Sequence, residues 1–213
     1  MAIVFLYICQ QNYPRMLVFE SEITYTVQNH SENMTDEEFY DFCAANRDLR
    51  IERDKDRNII IMAPVFGESG YFEKQAISSV DAYEQAYKGV SFSSSTGFKL
   101  PNGATRSPDA CWVSPERWAT LSATDKKQFL PVTPDFVIEI RSATDSLKKL
   151  QDKMQEWIEA GVRLGWLIDS QNQNTHIYRE HRPVEIVESF DLVLSGEDVM
   201  PGFEFDLGRL RMP

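Results

Sequence analysis

PDFVIEIRSATDSLKKLQDKMQEWIEAGVRLGWLID, residues Pro134 to Asp169, is the stretch that decides the fold. It opens with an apolar run interrupted by one carboxylate, Glu139, and continues through a polar break into a helical pattern. A second apolar run then ends at Asp169. Strand, helix and strand over about thirty-five residues is the length expected of a βαβ unit. Because a parallel sheet buries both faces of its strands, a carboxylate inside one of them requires an explanation.

Composition is typical of one globular domain. The chain has 213 residues, of which 42% are hydrophobic and 26% charged. Its net charge is -11, from 22 Lys+Arg and 33 Asp+Glu. Tight, sequence-independent binding to nucleic acid relies on basic residues that release phosphate counterions, so this balance disfavours it. A local basic cleft stays compatible with the sequence.

The cysteines and the first residues of the chain provide information about the cellular compartment of the protein. Cys9, Cys43 and Cys111 are odd in number and lack metal-ligand spacing, so we expect no disulfide framework and, without an export signal, a cytoplasmic protein. The first nine residues are apolar but too short to span a bilayer. We interpret them as an added strand or as the product of translation starting upstream of Met16. We therefore predict an N-terminal extension over 1–34 and a single domain over 35–213.

The elements around the βαβ unit follow from capping, periodicity and turn signals. Thr35 to Glu38 has the form of a capping box and predicts a helix from about Thr35 to Asn46. Two short apolar runs around a charged turn predict a hairpin. The remaining predictions are a helix over 67–87, a helical turn over 115–118, and strands over 90–92, 109–113, 176–179 and 184–187. No repeat or long linker interrupts them, which indicates one α/β domain.

Glu139 has two interpretations. On an extended strand it shares one face with Asp135, Val137 and Arg141, so an internal ion pair with Arg141 would account for it. Alternatively, a second carboxylate from a neighbouring strand could meet it, and Asp109 is the candidate because it stands where Pro108 introduces a strand. Two such carboxylates can hold a hard divalent cation such as Mg²⁺, which prefers oxygen ligands.

The helix after this strand carries three lysines that differ in position. At about 100° per residue, the apolar side chains from Leu147 to Ile158 form one stripe. Lys153 lies roughly 90° from the middle of that stripe, whereas Lys148 and Lys149 lie roughly 130° away. Lys153 therefore stands at the edge of the buried face, where its stem can follow the core and its ammonium can reach a site. A snorkelling surface lysine is the alternative.

Five segments, taken in order along the chain, resemble the Uma2-type nuclease family. This family is also known as a domain of unknown function common in cyanobacteria, and it belongs to the PD-(D/E)xK, restriction-endonuclease-like superfamily. The resemblance extends over roughly 35–207, and its order along the chain makes it specific. The segments are STGFKLPNG (95–103), RSPDA (106–110), PDFVIE (134–139), KMQEW (153–157) and GWLID (165–169).

The resemblance implies a restriction-endonuclease-like α/β fold, a central mixed sheet flanked by helices with a metal site at one end. It implies a nuclease that uses Mg²⁺ or Mn²⁺ and acts on DNA, with the lysine displaced onto the helix after the glutamate. The catalytic set carried over is Asp109, Glu139, Lys153 and Glu68, and the metal ligands are Asp109, Glu139 and Ile140. Glu52 and Glu73 are alternatives to Glu68.

Arg141 departs from the superfamily pattern, since it occupies the usual lysine position and arginine stays protonated. It could clamp a phosphate or pair with Asp135 or Glu139, and pairing with Glu139 would weaken a metal site. Two functions follow as hypotheses. The first is a metal-dependent DNA phosphodiesterase, possible as a homodimer because the superfamily often pairs subunits. The second is a catalytically inactive nuclease-fold module for binding or assembly.

Overall fold

The computed structural model describes residues 16–18, 24–28 and 34–212. The prediction for the first nine residues lies outside these. Four helices are present: α1 Asp36–Ala45, α2 Gly67–Tyr87, α3 Pro115–Ala119 and α4 Leu147–Glu159. The strands are β1 Met16–Val18, β2 Thr24–Gln28, β3 Arg50–Arg53, β4 Ile59–Met62, β5 Val90–Phe92, β6 Phe98–Lys99, β7 Thr105–Arg106, β8 Ala110–Val113, β9 Phe136–Arg141, β10 Leu164–Asp169, β11 Asn174–Arg179, β12 Glu185–Val187, β13 Val193–Ser195 and β14 Glu204–Asp206.

The chain divides into two compact units, one formed by residues 1–64 with 99–106 and the other by 65–98 with 107–213. The first unit holds α1 and most of a six-stranded sheet of order β1-β2-β4-β3-β7-β6. Its predicted hairpin is confirmed, because β3 pairs antiparallel with β4. The predicted capping box is also confirmed: Glu38 N donates to Thr35 Oγ1 at 3.2 Å, and Thr35 N donates to Glu38 Oε2 at 2.8 Å.

The second unit is built on a six-stranded mixed sheet of order β12-β11-β10-β9-β8-β5. Strands β9 and β10 are parallel, and their register aligns Phe136 with Leu164 and Arg141 with Asp169. The predicted βαβ unit is therefore confirmed, with α4 as its crossover. The remaining neighbours pair antiparallel. This is the mixed α/β fold that the sequence predicted.

Helices cover both faces of this sheet. Helix α2 packs through its buried Phe72, Ala76, Val80 and Tyr83 into the hydrophobic core cluster that contains every second side chain of β9 and β10. The intervening side chains face α4: a Cβ added to Gly165 would lie 2.5 Å from Met154 Cε and 3.3 Å from Val137 Cγ2. Five of the six residues of β9 are buried as a result, including Glu139.

Some elements were missed. The short β6 and β7 and the two-stranded ribbon of β13 and β14 were not predicted, because two or three residues carry no readable period. The other helices and strands predicted over 50–187 lie where the sequence placed them, within two residues at each end. Among the described residues, no helix combines the length and the apolar character needed to cross a bilayer.

Gly89 connects α2 to β5 and tolerates no side chain. Its φ of 87° lies in the left-handed region, and an added Cβ would overlap the Trp112 indole, whose Nε1 donates to Lys88 O at 3.0 Å. We expect Gly89→Ala to lower the free energy of unfolding by about 2 kcal/mol or more, from strain plus steric overlap. Urea denaturation measures the loss. Gly67→Ala is the matched control, because nothing lies within 4 Å of its added Cβ, and equal stability of the two variants would contradict the prediction.

Candidate active site

Glu139 is the buried carboxylate at the centre of the second unit. It lies on β9, on the face of the sheet that α4 covers, and it is only 2% exposed. Trp157 of α4 donates its indole N–H to Glu139 Oε1 at 2.9 Å. Burying a carboxylate is costly unless charged and hydrogen-bonding partners surround it, and α4 supplies both kinds.

Lys153 is the charged partner. Its Nζ lies 2.9 Å from Glu139 Oε1 and 3.1 Å from Oε2, and it also donates to Ser107 O at 3.1 Å. The Lys153 side chain is 14% exposed, against 76% for Lys148. The helical-wheel prediction for these two lysines is therefore confirmed. Helix α4 is held at its start by Ser146, whose side chain accepts from Lys149 N.

Asp109 stands one residue before β8. That strand pairs antiparallel with β9, with Ala110 opposite Ile138, so continuing the register by one residue brings Asp109 opposite Glu139. Asp109 Oδ2 accepts a hydrogen bond from Ile140 N at 2.8 Å. The pKa of Asp109 is raised to about 7: burial is the largest cause, the negative charges of Glu139 and Glu73 add to it, and Lys153 and the Ile140 N–H oppose them.

Glu73 is the carboxylate of α2 whose charge acts on Asp109. It is half-buried and lines a groove of about 550 Å³ between α2 and the residues at and after β5. Glu68, the residue first carried over from the resemblance, lies exposed in the first turn of α2. Glu52 belongs to the first unit, where it pairs with Arg106 at 3.1 Å. Of the three candidates, Glu73 is the one that the geometry favours.

Arg141 points away from this cluster. Its Nη1 pairs with Asp169 Oδ2 at 2.9 Å, and its Nε donates to Asp145 O at 3.1 Å. Burial tends to raise the pKa of Asp169, but hydrogen bonds from Asn172 and Arg141 outweigh it and lower the pKa. The predicted pairing of Arg141 with Asp135 or Glu139 is therefore wrong, because the parallel register sets Arg141 directly beside Asp169.

Cys111 neighbours the cluster without sharing its chemistry. It is fully buried in β8, and burial, aided by the charge of Glu139, raises the pKa of its thiol well above the ordinary value. A thiol in such surroundings stays protonated and is a poor nucleophile. The reactive groups of this region are therefore carboxylates, an amine and backbone atoms.

The donor set suits a hard divalent cation better than a soft one. Within residues 34–212 and the two short strands before them, no group of three or more His, Cys, Asp or Glu side chains is arranged to hold a metal. Two carboxylates, Asp109 and Glu139, do meet, and Ile140 places its backbone against Asp109. Burial is the largest cause of the raised pKa of Asp109 and the charge of Glu139 is the next, and a bound cation would offset both. Both carboxylates offer oxygen ligands, as Mg²⁺ and Mn²⁺ prefer.

A comparison with protein-family models identifies the family of this chain. A model of the Uma2 family, described as "Putative restriction endonuclease", matches residues 36–208, most of the chain. The chain belongs to the Uma2 family. Among curated proteins, none matches the sequence. The family resemblance deduced from the five segments is thus confirmed.

A solved structure resembles this Uma2 protein in fold. It is a crystal structure of a protein from Anabaena variabilis, described as a "putative nuclease belonging to DUF820". The TM-score is 0.63 at 18% sequence identity, and the alignment covers 75% of this chain and 88% of the other. At that identity the likeness concerns the fold, and it agrees with the nuclease-type architecture expected from the sequence.

The structure groups three of the four predicted catalytic residues of this Uma2 protein: Asp109, Glu139 and Lys153. Sequence reasoning missed the role of Trp157, which it assigned to the core, and of the Ser107 carbonyl. A signal for Trp157 existed, since it follows Lys153 by four residues and so lies on the same side of α4. Buried indole N–H groups usually find an acceptor. No signal pointed to Ser107, because a backbone carbonyl has no sequence signature.

Proposed function

We propose that this Uma2 protein is a metal-dependent nuclease that hydrolyses phosphodiester bonds of DNA. The observation that carries the proposal is the meeting of Glu139 with Lys153 at 2.9 Å beside Asp109, a carboxylate whose pKa is raised to about 7. Strongly perturbed pKa values cluster at functional sites, where burial and neighbouring charges are arranged around the reacting groups. Family membership supports the same reaction class.

Asp109, Glu139 and the carbonyl of Ile140 would hold one divalent cation. When bound, the cation would lower the pKa of a coordinated water and neutralise charge on the phosphoryl group. The protein holds its donors ready for this. The Ile140 N–H holds Asp109 in place, and the Trp157 indole holds Glu139 in place. Glu73 adds negative charge from α2 and so increases the attraction for a cation.

Lys153 would orient the attacking water and offset phosphate charge. As an ammonium it has three donors and no acceptor, so its protonated form can position a water but cannot take its proton. The Lys153 ammonium already donates hydrogen bonds to Glu139 and to the Ser107 carbonyl. To act as the general base, it would first have to release a proton. We assign it the positioning role, with the proton leaving to solvent.

The test is cleavage of supercoiled plasmid and of single-stranded DNA with Mg²⁺ or Mn²⁺, against the same reactions in EDTA. Wild type should cleave only with the metal, and Asp109→Ala and Glu139→Ala should not exceed a protein-free background. Folding of each variant is checked by circular dichroism. Equal cleavage by all three proteins would point to a contaminant or another site and defeat the proposal.

A catalytically inactive binding or assembly module is the second candidate function. The acidic net charge of -11 favours it, and so does the absence of a third side-chain ligand among the described residues. Arginine at position 141, where the superfamily usually has lysine, also favours it, although Arg141 pairs with Asp169 and so does not weaken the site by pairing with Glu139. Calorimetric titration with Mn²⁺ separates the two candidates: millimolar or tighter binding that vanishes in Glu139→Ala supports the nuclease. A homodimer and a cytoplasmic location stay predictions.

A further inference from the structure

Three cations converge on one carboxylate in the first unit, far along the chain from Glu139. Arg53 Nη2 and Arg57 Nη1 both pair with Asp36 Oδ1, the latter at 2.8 Å, and Lys99 Nζ lies 3.1 Å from Asp36 Oδ2. All four residues belong to the same compact unit. One carboxylate can neutralise only one of the three cations, so the group carries a surplus of two positive charges.

The surroundings hold these cations in place. Arg53 is 1% exposed, donates to the carbonyls of Thr35 and Gly103, and lies over the Phe39 ring at 4.6 Å from its centroid. Its Nε is buried without a hydrogen-bond partner. The Arg57 guanidinium rests beside Gly103, where an added Cβ would meet Arg57 Nη2 at 3.4 Å. The cluster is therefore built into the fold before any ligand arrives.

The pKa of Asp36 reflects the same surplus of positive charge. The hydrogen bond from Arg53 is the largest cause that lowers its pKa, burial opposes the shift, and Lys99 and Arg57 lower the pKa further. Arg57 and Lys99 keep 33% and 38% of their side chains exposed, so both can reach a solute while paired. Guanidinium and ammonium groups together are the usual partners of phosphate oxygens.

The charge distribution makes this surplus unusual. Residues 65–98 and 107–213, the unit that contains Glu139, hold 22 Asp+Glu and 14 Lys+Arg. That unit repels a polyanion. Among the described ion pairs of this unit, Arg141 pairs with Asp169, and Arg179 pairs with both Glu185 and Glu197. Residues 1–64 and 99–106 are also acidic, with 11 Asp+Glu and 8 Lys+Arg, so a protein that acts on DNA needs a local group of cations to offset the repulsion.

We propose that Arg57 and Lys99, held around Asp36 with Arg53 behind them, form a binding site for a backbone phosphate of the nucleic acid substrate. This inference rests on the proposed function, since it names the part of the protein that attracts the substrate. The site recognises the phosphodiester anion, and contacts to phosphate carry no direct sequence information.

The test measures binding without cleavage, by fluorescence anisotropy of a labelled 20-base-pair duplex in EDTA over a series of salt concentrations. Arg57→Gln and Lys99→Gln should each weaken binding about three- to tenfold at low salt, and each should reduce the slope of log affinity against log salt by about one. Lys99→Arg keeps the charge and should bind like wild type. Lys55→Gln is the matched control, because Lys55 lies on the same hairpin, is 63% exposed and is already paired with Asp56.

Unchanged affinity and salt slope in both glutamine variants would overturn the inference, and so would an equal loss in Lys55→Gln. Competition by inorganic phosphate, with an affinity that drops in the same two variants, supports a phosphate site, whereas competition unaffected by the variants counts against it. Thermal melting of each variant excludes misfolding as the cause. Mg²⁺-dependent cleavage assays on the same proteins distinguish failure of this inference from failure of the proposed nuclease function. A wild type that binds DNA but does not cleave it would contradict the nuclease function. Glutamine variants that cleave DNA and bind it like wild type would contradict the phosphate site.

Discussion

Lys153→Met is expected to slow Mg²⁺-dependent DNA cleavage at least a hundredfold. The methionine preserves the length and the packing of the stem against the sheet but removes the ammonium that contacts Glu139 Oε1 at 2.9 Å. Groups that position or transfer a proton in the transition state contribute about 10²- to 10⁴-fold. The loss should appear in the single-turnover rate at saturating DNA rather than in the affinity for DNA.

Lys148→Met is the matched control, because Lys148 is on the same helix, is 76% exposed and pairs with Asp152. It should cleave at the wild-type rate. Lys153→Arg adds a second distinction. Arginine stays protonated, so partial activity in this variant indicates that the cation positions the water or phosphate, whereas complete loss indicates a general base. A Lys153→Met protein that cleaves as fast as Lys148→Met would remove Lys153 from the mechanism.

Asp109→Asn is expected to stabilise the metal-free protein above pH 8 by about 2 kcal/mol or more. The pKa of Asp109 is about 7 in the folded protein against an ordinary value of 3.8, and a difference of one in pKa corresponds to about 1.4 kcal/mol. Solvent screening of this half-buried carboxyl reduces the effect to roughly half of the full value. Asparagine keeps the acceptor for Ile140 N and removes the charge that Glu139 and Glu73 repel.

The sign follows from proton uptake. Between about pH 4 and pH 7 the folded protein holds a proton on Asp109 that the unfolded chain has lost, so unfolding releases a proton. The free energy of unfolding of wild type therefore falls as pH rises through this window, by the part that Asp109 contributes. Asp109→Asn lacks that contribution, so the two proteins should be nearly equal in stability at pH 4 and diverge towards pH 8.

Urea denaturation at pH 4, 6 and 8 measures the divergence. Glu68→Gln removes one exposed charge from α2 and should leave stability almost unchanged at each pH. Asp169→Asn should act in the opposite direction, because its lowered pKa means that its ionised form stabilises the fold. Adding Mg²⁺ at pH 8 should raise the stability of wild type and not that of Asp109→Asn. If wild type is as stable as Asp109→Asn at pH 8, ionisation of Asp109 does not destabilise the folded protein, and the prediction is wrong.

Local sequence was sufficient for the elements that carry a strong period or a cap. The capping box at Thr35, the amphipathic stripe of α4 and the two apolar runs of β9 and β10 each encode their structure within a few residues. The position of Lys153 at the edge of the buried face followed from the same periodicity, since a helix fixes the angle between its side chains.

Local sequence could not predict which side chains on neighbouring strands pair with each other. Arg141 shares a strand face with Glu139 in the sequence pattern, yet it pairs with Asp169, which only the register of β9 against β10 brings near. The preference for Glu73 over Glu68 depends on how α2 lies along β8, and five residues of helix separate the two by more than a turn. The surplus of charge around Asp36 likewise joins residues up to 63 positions apart.

By itself, the sequence determined the order of strands and helices, the family and the identity of the buried carboxylate on β9, because each depends on residues near one another in the chain. The tertiary structure alone decided which groups surround that carboxylate and which acid of α2 acts on Asp109. Burial and distance set electrostatic energies, and both arise only when segments remote in sequence are packed together.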